Sequence, residues 1–455
     1  MAQGSPAPWF FWLLGLLAVV LAAVGPVLEA QPTGPLAVRL ALMAGVLALV
    51  VWIVTLLKVR RRRASLLLLL PAMSALAAHL VKIQAGLPAA CAPLALGALL
   101  AGLTLGRRSA VLVGVTTLAL AGLAGAVAGA TLMGVGAGVV VSALLTLPRR
   151  TSVVVPAALA GAVVQAGVLF IVAPVRPPSG LELGGFDAAF GGAGAVVAGV
   201  AALLLAWPVQ RWAGVSSARR LRRLSAPWNP LMRELRRRAP GTYRHARNVA
   251  FLTEAGGRAL GGDLALLRAG AWVHDLGKLF APEAFAENRR PEAGEADLQL
   301  ALSPEQSALR ISRHVADGLR LARRYRLPGE LRELIAQHHG TSGLHGPMHR
   351  AAQQGRDIDP AVYYYPGPLP RSREAAILMV SDAVEAASRR IDDPSLAAVA
   401  AVVEEVVERL MSEYQFEDCD VTQVELVRLQ ETLVLTLRHS LHRRGGLPDQ
   451  GALQP

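Results

Sequence analysis

The stretch SAVLVGVTTLALAGLAGAVAGATLMGVGAGVVVSALLTL, residues 109–147, contains no acid, no base and no proline. About 20 apolar residues cross roughly 30 Å of hydrocarbon as a helix, so this stretch is long enough for two spans. Outward from it, runs of Ala, Leu, Val and Gly extend from Trp9 to about Trp207. Their lengths predict spans at 9–29, 36–57, 65–85, 89–106, 109–127, 129–147, 152–174 and 188–208. A different division of 109–147 gives seven spans instead of eight. The expected fold class is all-α: a polytopic transmembrane helical bundle over 1–208, a basic juxtamembrane linker over 209–238, a cytoplasmic all-helical domain over 239–444, and a flexible tail over 445–455.

The whole chain of 455 residues is 53% hydrophobic and only 17% charged, with a mean hydropathy of +0.41, yet its net charge is +13. So much apolar content excludes intrinsic disorder. Two cysteines, Cys91 and Cys419, lie far apart and exclude a disulfide-stapled secreted scaffold. The cations that remain in the first half orient it. Lys58 with Arg60, Arg61, Arg62 and Arg63 follows the second span, Arg107 and Arg108 the fourth, Arg149 and Arg150 the sixth, and Arg211, Arg219 and Arg220 the eighth. By the positive-inside rule all four loops are cytoplasmic, and with eight spans both termini are too.

No basic segment precedes the first span and no clear Ala-x-Ala site ends it, so it reads as retained rather than as a cleaved signal. Arg39, His79 and Lys82 lie near outer span ends and read as interfacial side chains whose tips reach water. The stretch 211–238 adds Arg222, Arg223, Arg233, Arg236, Arg237 and Arg238. A basic juxtamembrane segment is attracted to anionic lipid by about 1 kcal/mol per cation. Aromatic interleaving suited to nucleic acid is missing, so the bilayer is the expected partner and no nucleic-acid polymer is.

After Tyr243 the pattern turns amphipathic and helical, with ordinary caps. Ser303, Pro304 and Gln306 make a capping box, Asp393-Pro394 starts another helix, and Thr422 with Glu425 a further one. Val424, Val427, Val434, Leu437 and Leu441 are its expected core face. Six of the ten histidines, His245, His274, His314, His338, His339 and His345, fall within about one hundred residues of this half. His274-Asp275 and His338-His339 are doublets at helix ends, followed by Gly277 and Gly340 as C-cap glycines. A helix C-terminus favours a cation, and mixed imidazole and carboxylate ligands suit zinc, iron or manganese better than calcium. His345, with less claim, and His349, His439 and His442 read as ordinary polar residues.

The ordered set resembles a known family. Gly-Thr-Tyr-Arg-His245, Ala-Trp-Val-His274-Asp275-Leu-Gly-Lys278, Ser312-Arg313-His314-Val315, His338-His339-Gly340-Thr341, Tyr365-Pro-Gly-Pro and Val380-Ser-Asp382-Ala-Val-Glu-Ala-Ala-Ser-Arg389 are similar to the membrane-anchored, seven-transmembrane type of HD-domain phosphohydrolase. By motif the resemblance covers roughly 235–445. It implies a cyclic-di-AMP phosphodiesterase of the bacterial cytoplasmic membrane, opening the cyclic dinucleotide to linear 5′-pApA and so setting a second-messenger level. It also implies two divalent transition-metal ions per chain, iron or manganese. His245, His274, Asp275 and Asp382 would hold one ion, and Asp275, His314, His338 and His339 the other, with Asp275 shared.

Two ions about 3.5–4 Å apart can share a hydroxide and hold the attacked phosphorus for in-line displacement. Asp275 and Lys278 are the expected catalytic pair. Lys278 is the only lysine of the cytoplasmic half, and a compact ammonium there suits a phosphate or bridging solvent better than an arginine fork. Asn288, Tyr365 and Arg389 also match the family pattern and are the further expected substrate contacts. The large external domain usual in that family has no counterpart here, since only a few residues near Gln31 to Leu36 separate the first two spans. Alternatives are a silent cyclic-dinucleotide receptor or an HD hydrolase of another nucleotide; the Gly-Tyr-Pro element of the cyclic-di-GMP class does not follow His338-His339. A homodimer is left open.

Overall fold

The computed structural model describes residues 61–84, 92–123, 129–146, 149, 151–172, 184–288, 302–391 and 395–445. Two compact units meet in sequence at Ser217 and Ala218. Among the described residues every regular element is helical, with one isolated antiparallel bridge between Gly343 and Tyr364. The spans expected at 9–29 and 36–57, with Arg39, lie outside the described residues, as do Asp393-Pro394 and the tail from 446.

The first unit contains α1 (Arg61–Gln84), α2 (Leu96–Leu105), α3 (Arg107–Leu123), α4 (Gly129–Leu145), α5 (Val154–Val172) and α6 (Gly184–Trp212). Among the described residues two helical stretches, Thr151–Leu169 and Gly192–Trp212, are long and apolar enough to cross a membrane, and the apolar stretches of the other four are shorter. The largest departure from expectation is the span at 89–106. Its helix has 10 residues, about 15 Å of rise, and is buried from Gly97 to Thr104. That is half a crossing, a length typical of core or re-entrant helices.

Small residues set the close packing of α4 on α5. Gly134, Gly138 and Ser142 recur every four residues on α4, and a Cβ added to Gly161 of α5 would stand 2.6 Å from the Gly138 carbonyl oxygen and 2.0 Å from Ser142 Oγ. Backbones meet at that distance only where side chains are nearly absent, which is how helices associate without a hydrophobic driving force. Beside the C-terminus of α2, Arg149 N and Gln210 Nε2 both donate to the Leu103 carbonyl, at 2.9 and 3.3 Å. Arg149 Nη1 donates to the Ser216 carbonyl.

The second unit contains α7 (Ala218–Leu224), α8 (Pro230–Arg238), α9 (Pro240–Leu260), α10 (Leu264–Val273), a 3-10 turn over Leu276–Phe280, α11 (Pro304–Arg324), α12 (Gly329–Gln337), α13 (His345–Gln353), α14 (Pro360–Tyr363), α15 (Arg373–Ala387), α16 (Leu396–Ser412) and α17 (Gln423–Gly445). Residues 218–238 do not stand apart as a linker. Leu221, Leu231, Met232 and Leu235 are buried in one core with Val273, Leu276, Leu279 and Ile335, and the arginines occupy the outer face of α7 and α8. A second core joins α9, α15, α16 and α17.

Capping follows the sequence. Ser303 and Gln306 form the reciprocal box at α11, and Thr422 with Glu425 does the same before α17. The core face of α17 differs from expectation, because Val424 and Val427 are 70% and 54% exposed. Val434 and Leu437 are buried and Leu441 packs beside them as expected, while Leu426, Leu429 and Leu433 take the place of the two valines. Leu426, Leu429, Leu433 and Leu437 recur at helical spacing on one face.

Candidate metal centre

Five elements converge on one buried point. Asp263 caps α10, its Oδ1 accepting from the amides of Ala265 and Leu266; that helix stops at Val273, and His274 is its C-cap. The chain then tightens into the 3-10 turn, with Leu276 and Leu279 driven into the core. Gly277 is required here for proximity, since a Cβ on it would lie 1.8 Å from the His314 carbonyl oxygen. Its φ is not positive, so it is not the C-cap glycine expected of it. Gly340, with φ +51°, does take the left-handed conformation after the His338-His339 doublet. The turn therefore lies directly on α11 and brings Asp275 to His314. α9 contributes His245, α12 ends at His338 and His339, and α15 contributes Asp382.

The two oxygens of Asp275 face different imidazoles. Oδ2 is 3.5 Å from His245 Nε2 and 3.3 Å from His274 Nε2, while Oδ1 is 3.4 Å from His314 Nε2 and 3.8 Å from His338 Nε2. Asp382 Oδ1 lies 2.8 Å from His245 Nε2 and 3.4 Å from His274 Nε2, and its Oδ2 lies 3.9 Å from His339 Nδ1. Two groups of donor atoms result, each within 4.8 Å: His245, His274 and Asp275, and Asp275, His314, His338 and His339.

These atoms ask for cations. His274 Nε2 and Asp275 Oδ1 are buried without a hydrogen bond. His314 and His338 direct Nδ1 at the carbonyls of Ile311 and Ile335, which assigns the proton to Nδ1 and leaves two Nε2 lone pairs facing each other across 3.2 Å. Asp275 Oδ1 and the facing Nε2 atoms of His314 and His338 are buried acceptors without donors, which are costly, and a divalent ion accepts from all of them at once. The donor set therefore fits a divalent transition-metal ion.

The electrostatics divide the centre. Burial alone would lower the pKa of His245, but Asp382 and Glu385 outweigh it and hold the imidazolium up to about 9. His274 is likewise carried past its burial to about 10 by Asp275 and Asp382. On the other side burial dominates: His338 falls to about 3, with His274 and His314 adding repulsion, and His314 and His339 are also lowered. Asp275 and Asp382 are held well below the ordinary carboxylate range despite burial, by Lys278 and His274 respectively above all.

Lys278 Nζ lies between carboxylates, 2.7 Å from Asp275 Oδ2 and 2.8 Å from Glu287 Oε1. It is thus already paired with two carboxylates, at the position expected to contact substrate phosphate or bridging solvent. Tyr365 stacks on His339, with centroids 4.2 Å apart and 21° between planes. Arg389 Nη2 donates to Glu385 Oε2 at 3.1 Å, its Nη1 is 3.5 Å from Glu287, and 38% of its side chain is exposed. Asn288 holds the scaffold together. Its Oδ1 accepts from Thr242 N, and its Nδ2 donates to Thr242 Oγ1 and the Pro282 carbonyl. His345 pairs with Glu413 outside the cluster.

Sequence reading missed Glu385, Glu287 and Gln415. Glu385 stands three residues after Asp382 on α15, a spacing that puts both on one face. Gln415, fully buried, reaches from the turn after α16 to brace the histidine loop. Its Oε1 accepts from Thr341 N and its Nε2 donates to Thr341 Oγ1, each at 3.0 Å. No local signal marks it.

Residues 242–387 match the family model described as HD domain. Over 236 residues the chain is 39% identical to cyclic-di-AMP phosphodiesterase PgpH of Bacillus subtilis strain 168, covering 52% of this chain and 33% of the relative. It is 34% identical over 259 residues to the protein of the same name from Listeria monocytogenes serotype 1/2a, strain 10403S, covering 57% and 35%. An uncharacterized protein of Synechocystis sp. is 31% identical over 245 residues, covering 53% and 30%. The chain spans about a third of the length of these relatives. Crystal structures of the L. monocytogenes phosphodiesterase PgpH HD domain, alone and in complex with cyclic-di-AMP, share 33% identity. Each covers 47% of this chain and 99% of its own, with TM-scores of 0.44 and 0.45.

Proposed function

We propose that this chain is a membrane-anchored, metal-dependent phosphodiesterase that hydrolyses cyclic di-AMP to 5′-pApA at a centre of two divalent transition-metal ions, iron or manganese. One observation carries the reading. Asp275 divides its oxygens between two groups of imidazole nitrogens, and Asp275 Oδ1 and His274 Nε2 are buried without hydrogen bonds. The substrate follows from the two relatives named cyclic-di-AMP phosphodiesterases.

His245, His274, Asp275 and Asp382 would hold one ion, and Asp275, His314, His338 and His339 the other. Bound there, the ions supply Lewis-acid stabilisation of phosphoryl charge and lower the pKa of a water. The chain's own residues orient and neutralise. Backbone carbonyls of Ala271, Ile311 and Ile335 fix three rings with Nε2 inward. Lys278 holds Asp275 in place against Glu287. Four buried carboxylates (Asp275, Asp382, Glu287 and Glu385), the cations Lys278 and Arg389, and two divalent ions leave a local charge of about +2, which suits a substrate with two phosphodiester anions. Tyr365 walls the His339 side, and Arg389 offers its exposed donors to phosphate.

For the first unit the reading is a polytopic bundle of eight crossings, seven as the alternative, in a bacterial cytoplasmic membrane, with the second unit in the cytoplasm. The half-length α2 would form part of the fourth crossing, expected over 89–106. The small-residue packing of α4 on α5 and the arginine distribution support it. The outward arginines of α7 and α8 would face anionic lipid.

The test is hydrolysis by the full chain, purified in detergent and loaded with Mn²⁺ or Fe²⁺, offered cyclic di-AMP, cyclic di-GMP and pApA in parallel. Release of pApA from cyclic di-AMP alone is expected. Tight binding of cyclic di-AMP without turnover would make the chain a receptor, and inertness toward all three with metal bound would overturn the substrate.

A further inference from the structure

The histidines with a partner at Nδ1 divide three to one. His274, His314 and His338 each donate Nδ1–H to the carbonyl three residues back, on Ala271, Ile311 and Ile335, at 2.7–2.8 Å. His245 instead turns Nδ1 to a carboxylate, Glu385 Oε2. Glu385 is buried and stands one turn after Asp382 on α15, so the two acids grip opposite nitrogens of one ring: Asp382 Oδ1 lies 2.8 Å from Nε2.

Glu385 is itself held. Its Oε1 accepts from Asn248 Nδ2 at 2.8 Å and its Oε2 from Arg389 Nη2 at 3.1 Å. Asn248 is three residues after His245 on α9, so the same two helices supply the ring, its carboxylate and the carboxylate's clamp. A backbone carbonyl at Nδ1 fixes tautomer and orientation. A carboxylate adds negative charge behind the ring, here tempered by Arg389, whose Nη2 also lies 3.2 Å from His245 Nδ1, and makes Nε2 a stronger donor to a metal.

We propose that Glu385 is a positioning residue for His245, fixing its Nδ1–H tautomer and strengthening Nε2 toward the ion shared with His274, Asp275 and Asp382. The inference rests on the reading that the centre takes two ions. It makes the two positions unequal: only one of them has an imidazole backed by an anion. Arg389 keeps exposed donors for substrate and also holds Glu385.

The test is Mn²⁺ titration of the full chain in detergent after chelator stripping, with bound ions counted and free Mn²⁺ followed by electron paramagnetic resonance. Glu385→Gln keeps the shape and an acceptor but removes the charge. It should weaken one ion at least about tenfold, within the range usual for such partners, and leave the other unchanged; Glu385→Ala should weaken it further. In a His245→Ala background Glu385→Gln should have no added effect, which a merely structural role would not produce. Wild-type affinity at both positions in Glu385→Gln, or the same weakening with and without His245, would overturn the proposal. Should Glu385→Ala fail to fold, Glu385→Gln decides. A wild-type chain that binds one ion defeats the two-ion reading while the effect of Glu385 is still read on that ion, and one that binds none defeats both.

Discussion

His245 and His274 sit against Asp382, with Glu385 behind the first ring, whereas His314, His338 and His339 face mainly one another across the other oxygen of Asp275. Without an ion the first pair is protonated and the trio neutral, because carboxylates overcome burial on one side and nothing overcomes it on the other. The trio is therefore ready for a cation at neutral pH. The pair must first release its protons. Seven similar-looking donor residues thus form two chemically different groups, joined by one aspartate.

The most severe way to break the comparison is at the joint. Asp275→Asn should remove both ions and with them several kcal/mol of transition-state stabilisation, a loss of roughly a thousandfold or more in kcat/KM for cyclic di-AMP. Asp382→Asn should act on the pair side and His338→Ala on the trio side, so each should leave one ion measurable by titration.

A second effect is read by pH. Protons on His245 and His274 compete with metal up to about pH 9 and 10, so pair-side affinity should rise with pH through that window while trio-side affinity changes little above pH 6.5. The ion-free chain should behave oppositely at high pH. The raised pKa values of His245 and His274 contribute stability that is complete below the unfolded value of 6.5 and lost as pH rises through about 9 to 10. The lowered values of the trio contribute stability lost as pH falls below 6.5. Melting of the chelated chain across pH 5–10 should therefore peak near pH 6.5 and fall on either side of it.

The smallest effect belongs to the brace. Gln415→Ala removes the acceptor of the part-buried Thr341 amide, a cost of about 0.5–1.5 kcal/mol for an ordinary hydrogen bond, and loosens the loop that carries His338 and His339. Mn²⁺ titration should show a modest loss on the trio side alone. Equal loss on both sides would show that the brace supports the whole centre instead.

Legibility in the sequence followed the same division between local and distant chemistry. Ser303 with Gln306 and Thr422 with Glu425 announce helix starts because capping is a matter of three residues, and both boxes form. The seven expected ligands could be listed because the motifs carry them, and they converge. What Lys278 and Asn288 do was not legible, since their partners Glu287 and Thr242 lie 9 and 46 residues away. Gln415 was invisible for the same reason, acting on a residue 74 positions earlier. The helical half of the fourth expected span shows the converse error: apolar composition gives the length of a run but not where its helix starts. The basic stretch 218–238 read as a linker because its charge is conspicuous, while the four buried side chains that fix it to the core are scattered among the arginines.

The central claim is that Asp275 joins two unequal metal positions, and counting ions tests it most directly. Metal content of the full chain, equilibrated with Mn²⁺ at pH 8 and measured by elemental analysis, should be two per chain in the wild type, one in Asp382→Asn and none in Asp275→Asn. Two tightly held ions in Asp275→Asn, with the fold intact by circular dichroism, would contradict the account.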